Sequence, residues 1–573
     1  MAFIFFVSLA AFVLAMPRAS WACMTILVGR KASATGEVLV AHNEDAPGRF
    51  TMQTHLVQKR RRRSGKKIKF EPDLSELELG ETRTNLFWAE AKTYSKKFSD
   101  SAFCDFYANG HGVVICSNNC EESKEDSPEL LNGGIGYGLR RLVAERSHCA
   151  KEALEIACGL VERYGYASSG RSYAFADKDE IFVMQIVHGK HYAIARVPDD
   201  EVAVIPNHYT IREPEKKFRG YDELISYAKA RGWYKDSDGA FDFARVYQAE
   251  NSFGLAKNTY RHVKAFEILL DMDLSGLLKT EWQPLPFSIK PAKLVDIETL
   301  KKILRAHNEG LHHFDKPIGI CNCDTLESTI AQIRHNPDRI ILRKALGRPC
   351  SSPYVAWYSG INSVPEDYEV RDPENSLLEH FKTKPEDMDY RNNAWYRSME
   401  ICAACDILHD ESVEAEIQAF EEEVEEKLKV LDPQIQLRLR NEPRIAQAMM
   451  EAAVLQCSKD SEQLAATLRA KLKIIIGEAL NSVSSEKIFG VRIPAGASKL
   501  NVSRCLCGPS YVDKGDWSQC CEVSDTGDGY VTLNFKPGEW LKDAVPCFTD
   551  LYMVIEEESG TRRAGTVRAK VNA

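Results

Sequence analysis

The chain has 573 residues, of which 44% are apolar and 27% are charged, and its formal net charge is -9. This balance is typical of a soluble globular protein and excludes a largely disordered one, and the length allows a large domain with smaller modules. The negative charge argues against a general nucleic-acid binder, so no nucleic-acid partner is expected. Beyond Met16 no apolar stretch is long enough to cross a bilayer, and no membrane span is predicted for the mature chain.

The first 22 residues have the pattern of a signal peptide or propeptide. The run MAFIFFVSLAAFVLAM is followed by small residues, with Ser20 and Ala22 at the positions that a signal peptidase reads. Cleavage after Ala22 would make Cys23 the first residue of an exported protein, located in the periplasm, a secretory lumen or the extracellular space. Because no Lys or Arg precedes Arg18, two alternatives stay open. One is translation from Met16 with self-processing in the cytosol, and the other is lipid attachment to Cys23.

After Cys23 the sequence predicts a β-hairpin. MTILVGR and EVLVAHN are β-rich runs, and KASATG between them, with Gly36, suits a tight connection. Pairing of residues 24–30 with 37–43 would bring Asp45 back beside Cys23. The alternative is that NEDAPG is simply an acidic turn. The basic run at 58–68 is expected to be a solvated loop, with a processing site or an anionic partner as alternatives.

Further along the chain, strands alternate with helices. Strand-like runs recur up to residue 206, and HCAKEALEIACGLVERYG at 148–165 has apolar residues at helical spacing. The pattern is mainly helical from about residue 220 and returns to strands from about residue 485. This mixture favours an α+β protein of stacked layers, with a main domain at 23–482 and a small β-rich module at 485–573.

Seventeen cysteines are many for a cytosolic protein, and the odd number leaves at least one thiol outside any disulfide scheme. We expect the cysteines of the terminal module to form disulfides; these are Cys505, Cys507, Cys520, Cys521 and Cys547. Four other cysteines could be imagined as a zinc site; these are Cys321, Cys323, Cys402 and Cys405. Disulfides or buried thiols are favoured instead, because the Cys321–Cys323 spacing is tight for two ligands and no histidine pattern accompanies the four cysteines. No metal and no cofactor is predicted.

A cysteine at a mature N-terminus can supply both parts of a catalytic pair. The thiol is the nucleophile, and the α-amine, with a pKa of about 8, can serve as its base. Such a site needs a carboxylate or amide to hold the amine, donors for an oxyanion, and a means to lower the pKa of the thiol.

Five blocks of the sequence resemble, in order, the dipeptidase family of cysteine N-terminal-nucleophile hydrolases, relatives of secernin, penicillin V acylase and bile salt hydrolase. The blocks are CMTILVGRKASATGEVLVAHNED, ANGHGVVICSNN, ARVPDDEVAVIPNHYTI with NTYRHVKAF, CDTLESTIAQIR, and GRPCSSPYVAWYSGI. The resemblance covers roughly residues 23–410.

The resemblance implies a set of catalytic residues. Cys23 would be the nucleophile with its own α-amine as the base, and Asp45 would orient that amine. Asn207 would donate to the oxyanion, and Asn119 would be a second polar group of the pocket. Arg261 would keep the thiol anionic through its charge.

The same resemblance implies a fold and an activity. The fold would be the four-layer αββα sandwich of N-terminal-nucleophile hydrolases, with helical insertions. The activity would be that of a cysteine dipeptidase acting on dipeptides after loss of residues 1–22. Alternatives are an amidase or acyltransferase for non-peptide acylamides, and a non-catalytic lipid-anchored binding protein. The sequence leaves open the oligomeric state, a homo-oligomer included, the agent of cleavage, and the choice between Asn118 and Asn119.

Overall fold

The computed structural model describes residues 23–46, 50–57, 67–70, 73–78, 84–93, 106–120, 123–253, 256–277, 285–307, 319–322, 324–334, 340–368, 393–408, 410, 412–495, 500–509, 516–542, 544 and 547–572. The leader at 1–22 lies outside the described residues, and so does most of the basic run at 58–68. The expectations for these two segments therefore stay predictions.

The strands of the described chain are β1 (Met24–Val28), β2 (Val38–Asp45), β3 (Phe50–Val57), β4 (Lys67–Ile68), β5 (Leu77–Glu78), β6 (Leu86–Thr93), β7 (Phe106–Asn109), β8 (Val114–Asn119), β9 (Tyr166–Ala176), β10 (Ile181–Gly189), β11 (Tyr192–Arg196), β12 (Val202–Ile205), β13 (Ser288–Ile289), β14 (Thr325–Ile333), β15 (Ile341–Leu346), β16 (Val355–Tyr358), β17 (Ile475–Ile476), β18 (Leu480–Val483), β19 (Phe489–Pro494), β20 (Leu506–Gly508), β21 (Ser518–Asp525), β22 (Tyr530–Phe535), β23 (Cys547–Glu556) and β24 (Arg562–Val571). The α-helices are α1 (Gly138–Arg146), α2 (Ala150–Tyr164), α3 (Tyr221–Ala230), α4 (Phe243–Tyr247), α5 (Ala256–Leu270), α6 (Ile297–Leu304), α7 (Ala394–Leu408), α8 (Glu414–Asn441) and α9 (Pro443–Lys471).

The first sheet has the strand order β13-β12-β1-β2-β14-β15-β16, and all its neighbours are antiparallel. The β1–β2 hairpin pairs Met24 with Asn43 and Val28 with Leu39, which is the register predicted from the sequence. Gly36 has a φ of 70° in the connection, a conformation that glycine adopts without strain. Every residue of β1 and β2 is buried, as expected for central strands covered on both faces.

The second sheet has the order β11-β10-β9-β8-β7-β6-β3 and contacts the first sheet through β8 against β1 and through β3 against β14. The predicted helix at 148–165 is confirmed as α2. Its first turn is capped by the Cys149 Sγ, which accepts a hydrogen bond from the Glu152 backbone, and it ends at Gly165.

Alternate side chains of β1 enter two cores. Met24, Ile26 and Val28 pack with apolar residues of α5 and α6, whereas Leu27 belongs to the core that includes the second sheet. Helices α1 and α2 contact the second sheet, and α5 and α6 contact the first. The predicted α+β class is therefore confirmed, and the site described below lies where β1 meets the second sheet.

The C-terminal part contains a third sheet, with the order β17-β24-β23-β20-β21-β22-β19, and β18 also pairs with β24. Helix α7 contacts β23 and β24 of this sheet as well as β15 of the first. The sheet begins at Ile475, ten residues before the predicted start of the module. Within the described residues, no helix combines the length and the apolarity that a membrane crossing requires.

The predicted disulfides of the terminal module are not formed by the cysteines whose side chains are described. Cys505, Cys507, Cys520 and Cys521 are free thiols. The strand register places Cys507 opposite Ser518, and the thiols of Cys505 and Cys520 donate to different backbone oxygens. The prediction is wrong for these four, because it rested on the clustering of cysteines in a small module of an exported protein and not on any pairing of strands.

Candidate active site

Cys23 lies immediately before β1, at the end of the hairpin where β2 returns. Its Sγ lies 3.7 Å from Oε1 of Glu44 and 3.6 Å from the backbone oxygen of Asp45. Only 1% of Cys23 is exposed. The predicted pairing of the two strands thus places Asp45 beside Cys23, and it places Glu44 there as well.

Asp45 is fully buried, and only part of its carboxylate is satisfied. Nδ2 of Asn322 donates to Oδ2 at 2.7 Å, whereas no hydrogen-bond donor among the described residues reaches Oδ1. Burial raises the pKa of Asp45 to about 7, against the lowering effects of the Arg261 charge and of hydrogen bonds from Thr325 and Asn322. A buried acceptor oxygen is therefore available for one further donor, and a cationic donor would bring the pKa down.

Arg261 on α5 connects three parts of the site. Its Nη1 donates to the backbone oxygen of Cys23 at 2.9 Å, and its Nη2 donates to Oδ1 of Asn207 at 2.7 Å and of Asn258 at 2.8 Å. Nδ2 of Asn207 in turn donates to the backbone oxygen of Asn119 at 2.6 Å. The structure therefore brings the predicted residues Cys23, Asn207, Arg261 and Asn119 into one network.

The contacts bear on two of the implied roles. The positive charge that most lowers the pKa of the Cys23 thiol is that of Arg171, while Arg261 holds the backbone of Cys23. Nδ2 of Asn207 uses one of its two N–H groups for the backbone oxygen of Asn119, and its second N–H is the one that could serve an oxyanion.

The two neighbouring asparagines of β8 have different surroundings because successive side chains of a strand point to opposite faces. Asn118 is buried, accepts a hydrogen bond from Oγ1 of Thr25 at 2.5 Å, and donates to the backbone oxygen of Ile205 at 2.9 Å. Asn119 is half-buried and takes part in the network through its backbone oxygen. The side chain that faces β1 is therefore that of Asn118 and not of the predicted Asn119.

A chain of hydrogen bonds runs from Asn118 to the thiol. Because Thr25 gives its single hydroxyl proton to Asn118, it must accept from Nδ1 of His42, 2.9 Å away. Burial lowers the pKa of His42 to about 3, so this imidazole is neutral and its Nε2 is an acceptor. Oε2 of Glu44 lies 3.3 Å from that Nε2 and must then be the donor, which requires a protonated Glu44.

The electrostatics of Glu44 agree with this assignment. Burial raises the pKa of Glu44 to about 8, opposed by the charges of Arg140 and Arg171 and reinforced by those of Asp45 and Glu327. Burial, together with Glu44 and Asp45, also raises the pKa of the Cys23 thiol well above its ordinary value. The thiol is therefore protonated in the full-length chain, and its activation requires a base.

Sequence reasoning missed three ionisable residues that act on the thiol or on the Glu44 carboxyl beside it. Glu44 is adjacent to the predicted Asp45, and the signal that could have found it is the hairpin register, which brings both residues to Cys23. Arg171 on β9 and Arg140 on α1 are buried in the second sheet and the helix that covers it. No sequence pattern links them to Cys23, because only the stacking of the two sheets brings them near.

The cysteines considered as a zinc site do not form one as a set. The group of potential metal ligands found among the described residues consists of His307, Cys321 and Cys350. Cys402 and Cys405 lie on α7 outside this group, and Cys323 lies outside the described residues.

The chain matches one protein family and several relatives of known name. The family model described as peptidase family C69 matches residues 22–384. The chain is 24% identical over 402 residues to "Probable dipeptidase B" of Lactococcus lactis, covering 61% of this chain and 77% of that protein. It is 27% identical over 401 residues to "Probable dipeptidase A" of Streptococcus pyogenes serotype M3, covering 63% and 80% respectively.

Among solved structures, a mutant of the conjugated bile acid hydrolase from Clostridium perfringens is similar with a TM-score of 0.31 and 10% identity, covering 57% of this chain and 89% of that one. This likeness is too low for a comparison of individual residues. The family match covers more than half of the chain and starts next to Cys23. The chain therefore belongs to peptidase family C69.

Proposed function

We propose that this peptidase is a cysteine dipeptidase whose nucleophile is the thiol of Cys23, exposed at the N-terminus after residues 1–22 are removed. In the full-length chain the nitrogen of Cys23 is an amide and cannot act as a base. Cleavage converts it into an α-amine with a pKa of about 8, which can take the proton of the adjacent thiol. The relatives named dipeptidase support peptide substrates of this size.

The observation that carries this proposal is the buried Oδ1 of Asp45, which accepts no hydrogen bond from the described residues and belongs to a residue whose backbone oxygen lies 3.6 Å from the Cys23 Sγ. A buried carboxylate oxygen without a donor is costly, and an α-ammonium at Cys23 is a donor that exists only after cleavage. The ammonium would lower the pKa of Asp45 from about 7, and the carboxylate would hold the amine in place. The α-ammonium of Cys23 is the donor that we propose for this oxygen.

The reaction is acyl transfer to water. The Cys23 thiolate attacks the peptide carbonyl, and the proton taken by the α-amine passes to the leaving amine as the C–N bond breaks. Water then attacks the thioester, the amine accepts a proton from it, and the thiol is restored. Asn207 would donate its second N–H to the oxyanion, a contact that is typically worth about 3–4 kcal/mol of barrier. Arg261 holds the Cys23 backbone in position during these steps through its hydrogen bond to the Cys23 oxygen.

The charges around the thiol also suit a dipeptide. A dipeptide carries an ammonium and a carboxylate within a few bonds of its single peptide bond. Glu44 lies against the Cys23 Sγ, and the charges of Arg140 and Arg171 act on the same carboxyl. A carboxyl and a guanidinium thus lie near the nucleophile and offer partners for the two charged ends of a dipeptide.

The proposal includes two further points. The two contacting sheets, with α1 and α2 on one side and α5 and α6 on the other, would correspond to the αββα arrangement of N-terminal-nucleophile hydrolases. Export of the chain would follow from cleavage after Ala22 by a signal peptidase.

The experiment compares the processed wild-type protein with Cys23→Ala and with Cys116→Ala, a buried thiol 3.9 Å from Oγ1 of Thr25 that serves as the matched control. We expect hydrolysis of dipeptides by the wild type and by the control variant and none by Cys23→Ala. Activity on acylamides alone would favour the amidase alternative. A lipidated Cys23 would favour a binding protein.

A further inference from the structure

Outside the active site, three potential metal ligands lie together. A ring nitrogen of His307 and the Sγ atoms of Cys321 and Cys350 all lie within 4.8 Å of one another. The two sulfurs are 3.6 Å apart. Two thiolates on a tetrahedral Zn²⁺, with Zn–S bonds of about 2.3 Å, lie about 3.7 Å apart, so the observed separation fits a shared metal ion.

The segments that carry these ligands are already held in place. The backbone N–H of Cys321 donates to the oxygen of Ala306 at 3.0 Å, and Nε of Arg305 donates to the oxygen of Pro349 at 2.8 Å. The hydroxyl of Tyr260 donates to the backbone oxygen of His307 at 2.8 Å. Each ligand therefore sits in or next to a residue whose backbone is fixed, and little ordering is needed when a metal binds.

The approach of two of these segments depends on a glycine. A Cβ on Gly319 would lie 2.6 Å from the backbone oxygen of Cys321 and 3.2 Å from Cα of His307. The close packing of the histidine against the segment that carries the first cysteine thus requires the absence of a side chain at residue 319.

The charges also suit a divalent ion. Cys321 is buried, and the nearby cations Arg348 and Arg305 form ion pairs with Asp406 and Glu421. Zn²⁺ with two thiolates and a neutral imidazole is a complex with no net charge, so its burial adds no unpaired charge beside these ion pairs.

We propose that His307, Cys321 and Cys350 bind a Zn²⁺ ion that joins the segments at 305–307, 319–322 and 348–350, with a solvent molecule in the fourth position. Binding forms two Zn–S bonds and one Zn–N bond, and the two thiol protons pass to solvent. The ion takes no part in the proposed peptidase mechanism, and the site does not depend on it. Its position is notable because Asn322, which donates to Asp45, directly follows Cys321.

The test measures metal in the full-length protein as purified. We expect about one zinc ion per chain in the wild type, its loss in Cys350→Ser, and its retention in Cys521→Ser, a control for binding at an exposed cysteine. Because Cys350→Ser could fail to fold, His307→Gln provides a second variant at a half-buried ligand, and circular dichroism checks each protein. Cobalt added to the metal-free wild type should give a thiolate charge-transfer band that both ligand variants lack.

Three results would overturn the proposal. The first is the absence of stoichiometric zinc together with no cobalt band in the wild type. The second is a Cys321–Cys350 disulfide, detected as a chain lighter by two hydrogen atoms. The third is zinc that persists in both folded ligand variants or disappears in Cys521→Ser.

Discussion

Replacement of Glu44 by glutamine should remove the share that Glu44 contributes to the pH dependence of stability between pH 5 and pH 8. Glutamine has the shape of a protonated glutamate, with one donor and one acceptor group, so it can keep the contacts to His42 and Cys23. What it cannot do is titrate. The variant therefore separates the ionisation of Glu44 from its packing.

The magnitude follows from the pKa of Glu44, which burial raises from an ordinary value of 4.5 to about 8. Between these values the folded chain keeps a proton that the unfolded chain releases, so the folded state loses stability as the pH rises. With about 1.4 kcal/mol per pKa unit, the contribution falls by about 3.5 kcal/mol from pH 5 to pH 8. Below pH 4.5 the contribution is present in full.

The assay is urea unfolding of the full-length chain at several pH values in this range. The stability of Glu44→Gln relative to the wild type should increase with pH by about 3 kcal/mol over the range. Glu155→Gln, on the exposed face of α2, is the control and should follow the wild type. If Glu44→Gln and the wild type show the same slope, Glu44 is ionised in the folded state, and the hydrogen-bond chain that we assign to it is incorrect.

Three further changes test other parts of the account. Asn322→Ala removes a donor from the Asp45 carboxylate and should raise the pKa of Asp45. The acidic limb of the pH–rate profile of the processed enzyme should then move up by about one pH unit, and an unchanged limb would show that the ionisation of Asp45 does not control the rate. Arg261→Lys cannot make the paired contacts of the guanidinium and should lower kcat/KM about 100-fold while Cys23 keeps its reactivity toward iodoacetamide; near-normal turnover would show that the Cys23 backbone needs no such support. Trp357→Ala opens a cavity in the core and should cost about 3–5 kcal/mol of unfolding free energy, measured by urea denaturation, and a loss under 1 kcal/mol would contradict the packing seen there.

The parts of the fold that the sequence predicts well are those with local signals. The hairpin register follows from two β-rich runs around Gly36, and α2 follows from apolar residues at helical spacing. The third sheet begins at Ile475, before the β-rich segment predicted from residue 485, because β17 and β18 are short and pair with β24 at the far end of the chain. Pairing across that distance leaves no local pattern.

In the candidate site, too, local contacts could be predicted from the sequence and contacts between the two sheets could not. Cys23 and Asp45 come together through a local hairpin, and the residues of the family motifs, Asn207 and Arg261, join them in one network. The face of β8 that meets β1 depends on how the two sheets stack, so the choice between Asn118 and Asn119 could not be made from the sequence. The same stacking brings Arg171 to the thiol.

The central claim is that the working nucleophile is an N-terminal Cys23 with a free α-amine. The most direct measurement is the intact mass and N-terminal sequence of the active protein from its native host, before and after reaction with a dipeptide chloromethyl ketone. We predict a chain that begins at Cys23 with no added mass, and loss of activity in step with a single label on Cys23. Full activity in a chain that retains residues 1–22, or inactivation without a label on Cys23, would contradict the account.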